Sequence, residues 1–276
     1  MPYLKVGEEN SGDIRIYYED LGAGRPVVLI HGWPLSGASW EKQERALLAA
    51  GYRVITYDRR GFGRSDKPSA GYDYDTLAQD LHKLLTKLDL RNAALAGFSM
   101  GGGEVARYLG KYGDERVGKA VFISAVTPFL LRTSDNPKGV DGKVFAGITD
   151  ALTADRPAFL SGFLKNFYNF DRLGGKLVSE EDLRYNWNVG VDASPKGTLD
   201  CVIAWGTDFR KNLSAIRVPT LVIHGDADQI LPIAATGLRT QKAVRGARLA
   251  VIKGGPHGLI WTHAAEVNRA LTDFLN

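Results

Sequence analysis

One serine stands in the setting that nucleophilic catalysis requires. The segment Gly97–Gly101 reads Gly-Phe-Ser-Met-Gly and lies between an apolar run at 93–96, predicted to be a strand, and a helical segment that begins near Met100. In such a strand–turn–helix unit the glycines let the chain turn tightly, the serine hydroxyl projects above the sheet, and the helix N-terminus lies beneath a developing oxyanion. The spacing predicts that Ser99 is the nucleophile of an acyl-transfer reaction; the structural alternative is a glycine-rich turn with an incidental serine.

Two nucleotide-binding motifs have similar glycine-rich sequences, and this segment matches neither of them. A phosphate-binding loop would need Gly-Lys followed by Ser or Thr, but Gly103 is followed by Glu104. A dinucleotide-binding turn would need a Gly-x-Gly-x-x-Gly pattern and an acidic residue after the next strand, where the sequence has Ser124–Val126. Both nucleotide-binding interpretations are therefore rejected.

A serine hydroxyl needs a base to take its proton, and His257 is the candidate. It lies in the loop Gly254–Gly258, after the last predicted strand and before the final helix, so its ring can reach the side of the sheet on which Ser99 projects. The remaining histidines have interpretations that do not involve proton transfer. They are His82 within a helix, His224 at a strand end, His263 at the start of the last helix, and His31 in a glycine loop.

The base in turn needs an acid that orients it. A predicted strand leads into Gly225–Gln229, which offers Asp226 and Asp228 at the carboxyl edge of the sheet. Asp228 lies deeper in the loop and can reach His257, whereas Asp226 fits a turn-capping position. The chain order serine, aspartate, histidine is the order found in α/β hydrolases.

Acyl transfer also needs two N–H donors aimed at the oxyanion. The backbone N–H of Met100, next to the nucleophile, supplies one. The second is expected after an early strand, where His-Gly-Trp-Pro begins at His31, and we assign it to the Trp33 N–H because Pro34 restricts the backbone of the residue before it. His31 then braces this loop by hydrogen bonding.

Short apolar runs indicate the elements that bring these loops together. Continuous rather than alternating runs are typical of strands buried on both faces, and helical stretches between them imply a parallel sheet with right-handed crossovers. Six such runs follow two strands that form an antiparallel lead-in, so eight strands are predicted. They lie at 3–6, 14–18, 27–30, 54–57, 93–96, 120–123, 220–223 and 249–252.

The alternation of strands and helices stops between about 127 and 212, a stretch far longer than an ordinary connection. It holds seven of the chain's 11 phenylalanines. We expect an inserted helical cap at 127–212, in one folding unit with an α/β-hydrolase core formed by 1–126 and 213–276. The aromatic residues form the core of the cap or line an apolar pocket over the sheet edge, and both can hold for different residues.

Composition excludes several classes of protein. Of 276 residues, 44% are hydrophobic and 24% charged, which is typical of a soluble globular protein, and the net charge of +4 is not gathered into a nucleic-acid-binding patch. The single cysteine, Cys201, fits a reducing compartment, and no cysteine–histidine spacing indicates a zinc site. No apolar run is long enough to span a bilayer and no targeting segment is recognisable, so we expect a cytoplasmic protein.

Together the motifs resemble the cofactor-free bacterial haloperoxidase, aryl esterase and perhydrolase group of the α/β-hydrolase superfamily. The resemblance covers nearly the whole chain, cap included, and the string at 97–108 is far more specific than the serine motif alone. The group also has members that open γ-lactams, and Thr262-His263 and Tyr72–Thr76 resemble those as much as the esterases. The motifs lie at 31–34, 58–65, 97–108, 224–232 and 256–258.

The resemblance implies a serine hydrolase that acts through an acyl-enzyme on small aryl carboxylic esters. It gives Ser99, Asp228 and His257 the roles of nucleophile, orienting acid and base, and makes the Trp33 and Met100 N–H groups the oxyanion donors. Hydrogen peroxide attacking in place of water would release a peracid that oxidises halide, with no cofactor or metal required. The pocket of the group corresponds here to Trp33, Val126, Phe163, Phe167, Trp205 and Ile230.

Two alternatives stay open at this point. A γ-lactamase would hydrolyse the amide of a small cyclic lactam at the same site, and a ligand-binding sensor of this fold would turn over slowly. Dehalogenases and epoxide hydrolases of this fold would have aspartate at position 99, where this chain has serine. The expected partners are a small ester, carboxylic acid, lactam or hydrogen peroxide and, in a homo-oligomer, further copies of the chain, without nucleic acid or membrane.

Overall fold

A twisted sheet forms the centre of the molecule, of which the computed structural model describes residues 2–137 and 139–276. Its strands are β1 (Tyr3–Glu9), β2 (Gly12–Leu21), β3 (Pro26–Ile30), β4 (Arg53–Tyr57), β5 (Ala93–Phe98), β6 (Val117–Ile123), β7 (Thr220–Gly225) and β8 (Arg248–Ile252). They lie in the order β1-β2-β4-β3-β5-β6-β7-β8. The pairs β1–β2 and β2–β4 are antiparallel, and the other pairs are parallel. The predicted eight-stranded α/β-hydrolase sheet with its antiparallel lead-in is therefore confirmed.

Helices flank this sheet and fill the long connection between β6 and β7. They are α1 (Glu41–Ala49), α2 (Tyr74–Lys87), α3 (Met100–Tyr112), α4 (Gly142–Phe167), α5 (Phe170–Leu173), α6 (Glu180–Val191), α7 (Pro195–Ala204), α8 (Arg210–Ser214), α9 (Gly237–Ala243), α10 (Leu259–Thr262) and α11 (Ala264–Leu275). Across the described residues, no helix combines the length and the apolar character needed to cross a membrane.

The central strands β3 and β5 are buried on both faces, because they are apolar at successive positions. Neighbouring side chains of a strand point to opposite faces. Val28 of β3 packs in one core with Leu81 of α2 and Val105 of α3, while Val27 packs in a second core with Leu271 of α11. Two cores of this kind fix the sheet between two layers of helices.

The carboxyl ends of the parallel strands meet at one edge of the sheet. Ile30 at the end of β3 pairs with Gly97 near the end of β5, and Gly225 at the end of β7 pairs with Ile252 at the end of β8. The loops that follow these strands carry all of the residues predicted to do chemistry. Their convergence follows from the parallel register.

The connection between β6 and β7 contains helices α4 to α8, and the longest of them is bent. At Asp155 the backbone of α4 leaves the helical region, with φ at −155° and ψ at 86°, and Pro157 follows. The Asp155 carboxylate accepts the Ala158 N–H at 3.0 Å, so it caps the second half of the helix. Helix α8 crosses the predicted boundary at residues 212 and 213 and packs against α3, so the extent of the cap remains a prediction.

Two bidentate Arg–Asp pairs of similar geometry differ in burial. Arg60 donates to Asp80 at 2.7 and 2.8 Å, and Arg53 donates to Asp20 at 2.7 and 2.6 Å. The side chains of the first pair are 6% and 3% exposed, against 31% and 24% for the second. The first pair joins the loop after β4 to helix α2, so it lies in the body of the core.

Candidate active site

Ser99 occupies the sharp turn between β5 and α3. Its φ is 53° and its ψ is −116°, so the backbone lies in the left-handed half of conformational space. A side chain at Gly97 would come within 2.4 Å of the Gly101 carbonyl oxygen, and one at Gly101 within 2.3 Å of the Ile30 carbonyl oxygen. Only glycine at these two positions lets the turn close against itself and against β3.

Ser99, His257 and Asp228 form a continuous hydrogen-bonded row. The Ser99 hydroxyl lies 2.9 Å from His257 Nε2, and His257 Nδ1 lies 2.8 Å from Asp228 Oδ2. Because an ionised carboxylate can only accept, Nδ1–H donates to it and Nε2 is left to accept the serine proton. Ser99 is 6% exposed and His257 1%, so the row is nearly closed to bulk water.

The Asp228 carboxylate is held by donors on both oxygens. Oδ1 accepts the Ile230 and Leu231 N–H groups at 2.9 and 2.7 Å, so the loop after β7 folds around it. Burial disfavours the charged form, but the charge of His257 and the hydrogen bonds from His224 and His257 hold the pKa of Asp228 well below its ordinary value. The acid is therefore ionised when it faces the base.

His31 braces the loop after β3, as the sequence led us to expect. Its Nε2 accepts the Arg59 N–H at 3.0 Å, so the ring proton lies on Nδ1, 2.9 Å from the Gly32 carbonyl oxygen. The Arg59 guanidinium donates to the His31 carbonyl oxygen at 2.8 Å and is paired with Glu104 of α3. Burial, and then the Arg59 charge, lower the pKa of His31 well below its ordinary value, so the ring is neutral.

The two predicted oxyanion donors flank the nucleophile. A side chain at Gly32 would lie 3.0 Å from Ser99 Cβ, so the loop that carries Trp33 abuts the serine. Met100 begins helix α3, where N–H groups have no partner within the helix. Among residues 2–137 and 139–276, neither the Trp33 nor the Met100 N–H donates to a protein acceptor. Both donors are therefore available to a substrate oxygen.

A chain of aromatic side chains connects the inserted helices to His257. The Trp33 ring makes edge contacts with Trp205 and Phe163, with centroids 4.9 and 5.1 Å apart. Phe163 contacts Phe167 at 5.7 Å, and Phe167 contacts the His257 ring at 4.9 Å. Four of the six predicted pocket residues thus form one connected apolar surface that ends at the row.

The other two predicted pocket residues adjoin the row through the backbone. The Val126 N–H donates to the Ser99 carbonyl oxygen at 3.2 Å, and Ile230 donates to Asp228 as described above. Val126 is buried and Ile230 is half-buried. The structure therefore brings all six residues to the same edge of the sheet.

Two contacts that the sequence did not indicate join the end of α4 and the segment after it to the loops of Asp228 and His257. The Gly258 N–H donates to the Phe167 carbonyl oxygen at 2.8 Å, and the Asn169 side-chain amide donates to the Ala227 carbonyl oxygen at 2.8 Å. Asn169 has a φ of 48°, and asparagine after a helix end is a signal for this left-handed conformation. We call residues 167–169 the cap corner, because this segment contacts the loops of both Asp228 and His257.

No group of three or more His, Cys, Asp or Glu side chains in the described part of the chain is arranged as a metal site. The buried carboxylates and imidazoles at the sheet edge are instead hydrogen-bonded to one another or to backbone groups. The hydrogen bonds from Ser99 to His257 and from His257 to Asp228 allow a proton to move from the Ser99 hydroxyl to the His257 imidazole.

Known proteins share this architecture over the whole chain. The sequence pattern of the alpha/beta hydrolase fold matches residues 25–264. A Synechocystis sp. protein provisionally named non-heme chloroperoxidase is 62% identical over 275 residues, 100% of both chains. The bifunctional esterase/perhydrolase DCH of Acinetobacter calcoaceticus is 37% identical and covers 95% of this chain and 96% of its own. The crystal structure of a bromoperoxidase from Bacillus anthracis is 52% identical, has a TM-score of 0.95, and covers 99% of this chain and 98% of its own. The chain therefore belongs to the alpha/beta hydrolase family.

Proposed function

We propose that this protein is a serine hydrolase that transfers the acyl group of small carboxylic esters to water and, as a perhydrolase, to hydrogen peroxide. The observation that carries the proposal is the row from Ser99 through His257 to Asp228, with distances of 2.9 and 2.8 Å. A serine hydroxyl beside a base that a carboxylate orients is the arrangement that activates a hydroxyl for acyl transfer.

The first half-reaction forms an acyl-enzyme. Ser99 Oγ attacks the ester carbonyl carbon while His257 Nε2 takes the hydroxyl proton. The Trp33 and Met100 N–H groups bind the negative charge that develops on the carbonyl oxygen. The bond to the alcohol oxygen then breaks, and His257 returns the proton to the departing alkoxide. Ser99 is left carrying the acyl group as an ester.

The second half-reaction depends on the attacking molecule. Water or hydrogen peroxide attacks the acyl carbon, His257 takes its proton, and that proton returns to Ser99 Oγ as the carboxylic acid or peracid leaves. A peracid then oxidises halide: two electrons pass from the halide to the O–O bond, and with one proton the products are the carboxylic acid and the hypohalous acid. The names of the relatives, chloroperoxidase, bromoperoxidase and esterase/perhydrolase, support this sequence.

The walls of the site favour small and aryl acyl groups. Trp33, Phe163, Phe167 and Trp205 present apolar rings next to the row, and the Trp33 indole is fixed by donation to the Thr198 carbonyl oxygen at 3.1 Å. Rigid aromatic walls suit a compact apolar substrate. The γ-lactamase alternative is not favoured, because the relatives carry the names of haloperoxidases and an esterase/perhydrolase.

The cap at 127–212, a cytoplasmic location and a homo-oligomer belong to the same proposal. Burial raises the pKa of the Cys201 thiol to about 12, so this cysteine is an inert part of the core that needs no oxidising compartment. Sedimentation of the purified protein would test the homo-oligomer.

Two assays on the purified protein test the proposed reactions. Repeated turnover of p-nitrophenyl acetate is expected, and this result would separate a hydrolase from a slow sensor. Bromination of monochlorodimedone by hydrogen peroxide and bromide should require added acetate, because acetic acid acylates Ser99 with release of water and hydrogen peroxide then takes the acyl group to form the peracid. It should also survive dialysis against EDTA. Bromination that needs no carboxylic acid would contradict the peracid route. Bromination that stops with EDTA and returns with a metal would contradict the acyl-enzyme origin.

A further inference from the structure

His224 is a buried imidazole for which the proposed mechanism has no role. It lies at the end of β7, and its Nε2 is 3.2 Å from Asp228 Oδ2, the oxygen that also accepts from His257. The same Nε2 is 2.8 Å from the Leu231 carbonyl oxygen. Two imidazoles therefore share one oxygen of the acid.

The surroundings of His224 determine where its proton lies. Both neighbours of Nε2 are acceptors, so Nε2 carries the hydrogen. Nδ1 has no hydrogen-bond partner within the described residues, and it faces Gly237, where a side chain would come within 2.7 Å of it. A charged ring would leave a buried N–H at Nδ1 without an acceptor, so the geometry favours the neutral ring with its proton on Nε2.

We propose that His224 is a positioning residue that acts on His257 through the Asp228 carboxylate. Its Nε2–H is shared between the Leu231 carbonyl oxygen at 2.8 Å and Oδ2 at 3.2 Å, and it takes up part of the negative charge of Oδ2. It therefore limits how strongly Asp228 attracts a protonated His257. Three further donors, the two backbone N–H groups on Oδ1 and His257 on Oδ2, complete the set. His224 therefore sets the acceptor strength of the acid as well as its direction.

The two imidazoles are the ionisable groups that bear most directly on this carboxylate. His257 and His224 are the titratable groups that shift Asp228. Gly237 of α9 faces the His224 ring, and Val251 of β8 pairs with His224 in the sheet; neither residue is titratable. A change at His224 is therefore expected to reach the reaction through Asp228.

The inference rests on the proposed function, because it concerns the pH range in which His257 acts as base. Removal of the His224 Nε2 donor should strengthen the ion pair between the Asp228 carboxylate and a protonated His257. The acid limb of the profile of kcat/KM against pH reports the protonation of the essential base in the free enzyme. That limb should therefore move to higher pH when the donor is lost.

The matched variants are His224→Met, which keeps the length of the side chain without a donor, and His224→Gln, which keeps an N–H donor at similar reach. For p-nitrophenyl acetate we expect the midpoint of the acid limb to rise by about 0.5 to 1 pH unit in His224→Met. In His224→Gln it should stay near the parent value. A purely structural role would lower stability in both variants without moving the limb. An unmoved limb in His224→Met, or an equal shift in His224→Gln, would overturn the proposal.

A measurement on the parent protein covers the case in which neither variant folds. With ¹⁵N-labelled histidine, the NMR shifts of His224 should show a proton on Nε2 and a bare Nδ1 from neutral pH down to the acid limb. A proton on Nδ1 in that range would overturn the proposal. Failure of the proposed function would look different, since the parent protein would then not turn over the ester at all.

Discussion

Ser99 keeps a backbone conformation that L-residues rarely adopt, with φ at 53°. Residues held in such regions cost on the order of 1–3 kcal/mol each. Glycine would avoid this cost but has no hydroxyl, so the strain is the condition for placing Oγ 2.9 Å from His257 Nε2. The strained backbone of Ser99 therefore serves to place its hydroxyl beside His257.

Ser99→Ala should lower kcat/KM for p-nitrophenyl acetate by about 10⁴-fold or more, because it removes the nucleophile while the turn is kept. The thermal unfolding midpoint should not fall, since the alanine has the same backbone preferences. Ser124→Ala is the matched control: Ser124 is buried, has a φ of 42°, and its Oγ has no partner within the described residues. A folded Ser99→Ala variant with most of its activity would exclude Ser99 as nucleophile.

At the scale of the element, the Asp155 side chain accounts for the bend in α4. Asp155 leaves the helical conformation and restarts the helix by accepting the Ala158 N–H at 3.0 Å. The second half of α4, after the bend, carries Phe163, which contacts Trp33, and Phe167, which contacts His257. The carboxylate is exposed, so it contributes through this cap rather than through packing.

Asp155→Ala should reduce the free energy of unfolding by about 1 kcal/mol, the ordinary value of an N-cap side chain. For a chain of this size that corresponds to a fall in the thermal midpoint of about 2 °C. Asp155→Asn keeps an acceptor oxygen and should stay near the parent midpoint. Equal losses in the two variants would show that the charge at this position matters and the cap does not.

The elements that could be predicted from the sequence are those whose signals are local. Each of the six strands after the antiparallel lead-in contains a short apolar run, and Ser99, Asp228 and His257 each follow such a run in a glycine-containing loop. The contact between His224 and Asp228 depends on the way a loop turns back. The bond from Asn169 to Ala227 joins residues 58 positions apart. Contacts of this kind are decided by packing, which no local pattern records.

At the scale of the whole molecule, burial decides the cost of losing a charge. Asp80→Ala should destabilise the protein by about 3–5 kcal/mol, because it leaves the Arg60 charge buried without a partner. Asp20→Ala breaks a pair of the same geometry at the surface and should cost at most about 1 kcal/mol. Chemical denaturation of both variants measures the difference. Similar losses would mean that the burial of Arg60 does not determine its contribution.

The bonds made by the cap corner matter when the inserted helical segment is replaced by that of a related protein. Phe167 and Asn169 bond to the loops of His257 and Asp228, and the Phe167 ring also belongs to the aromatic face, whereas Phe163 and Trp205 of that face come from other turns of the inserted helices. A chimaera that received a foreign cap would lose both bonds unless the donor had an equivalent corner. Phe163 and Trp205 can therefore be exchanged without loss of these two bonds, whereas residues 167–169 would have to be transferred together with the loops of Asp228 and His257 as one unit.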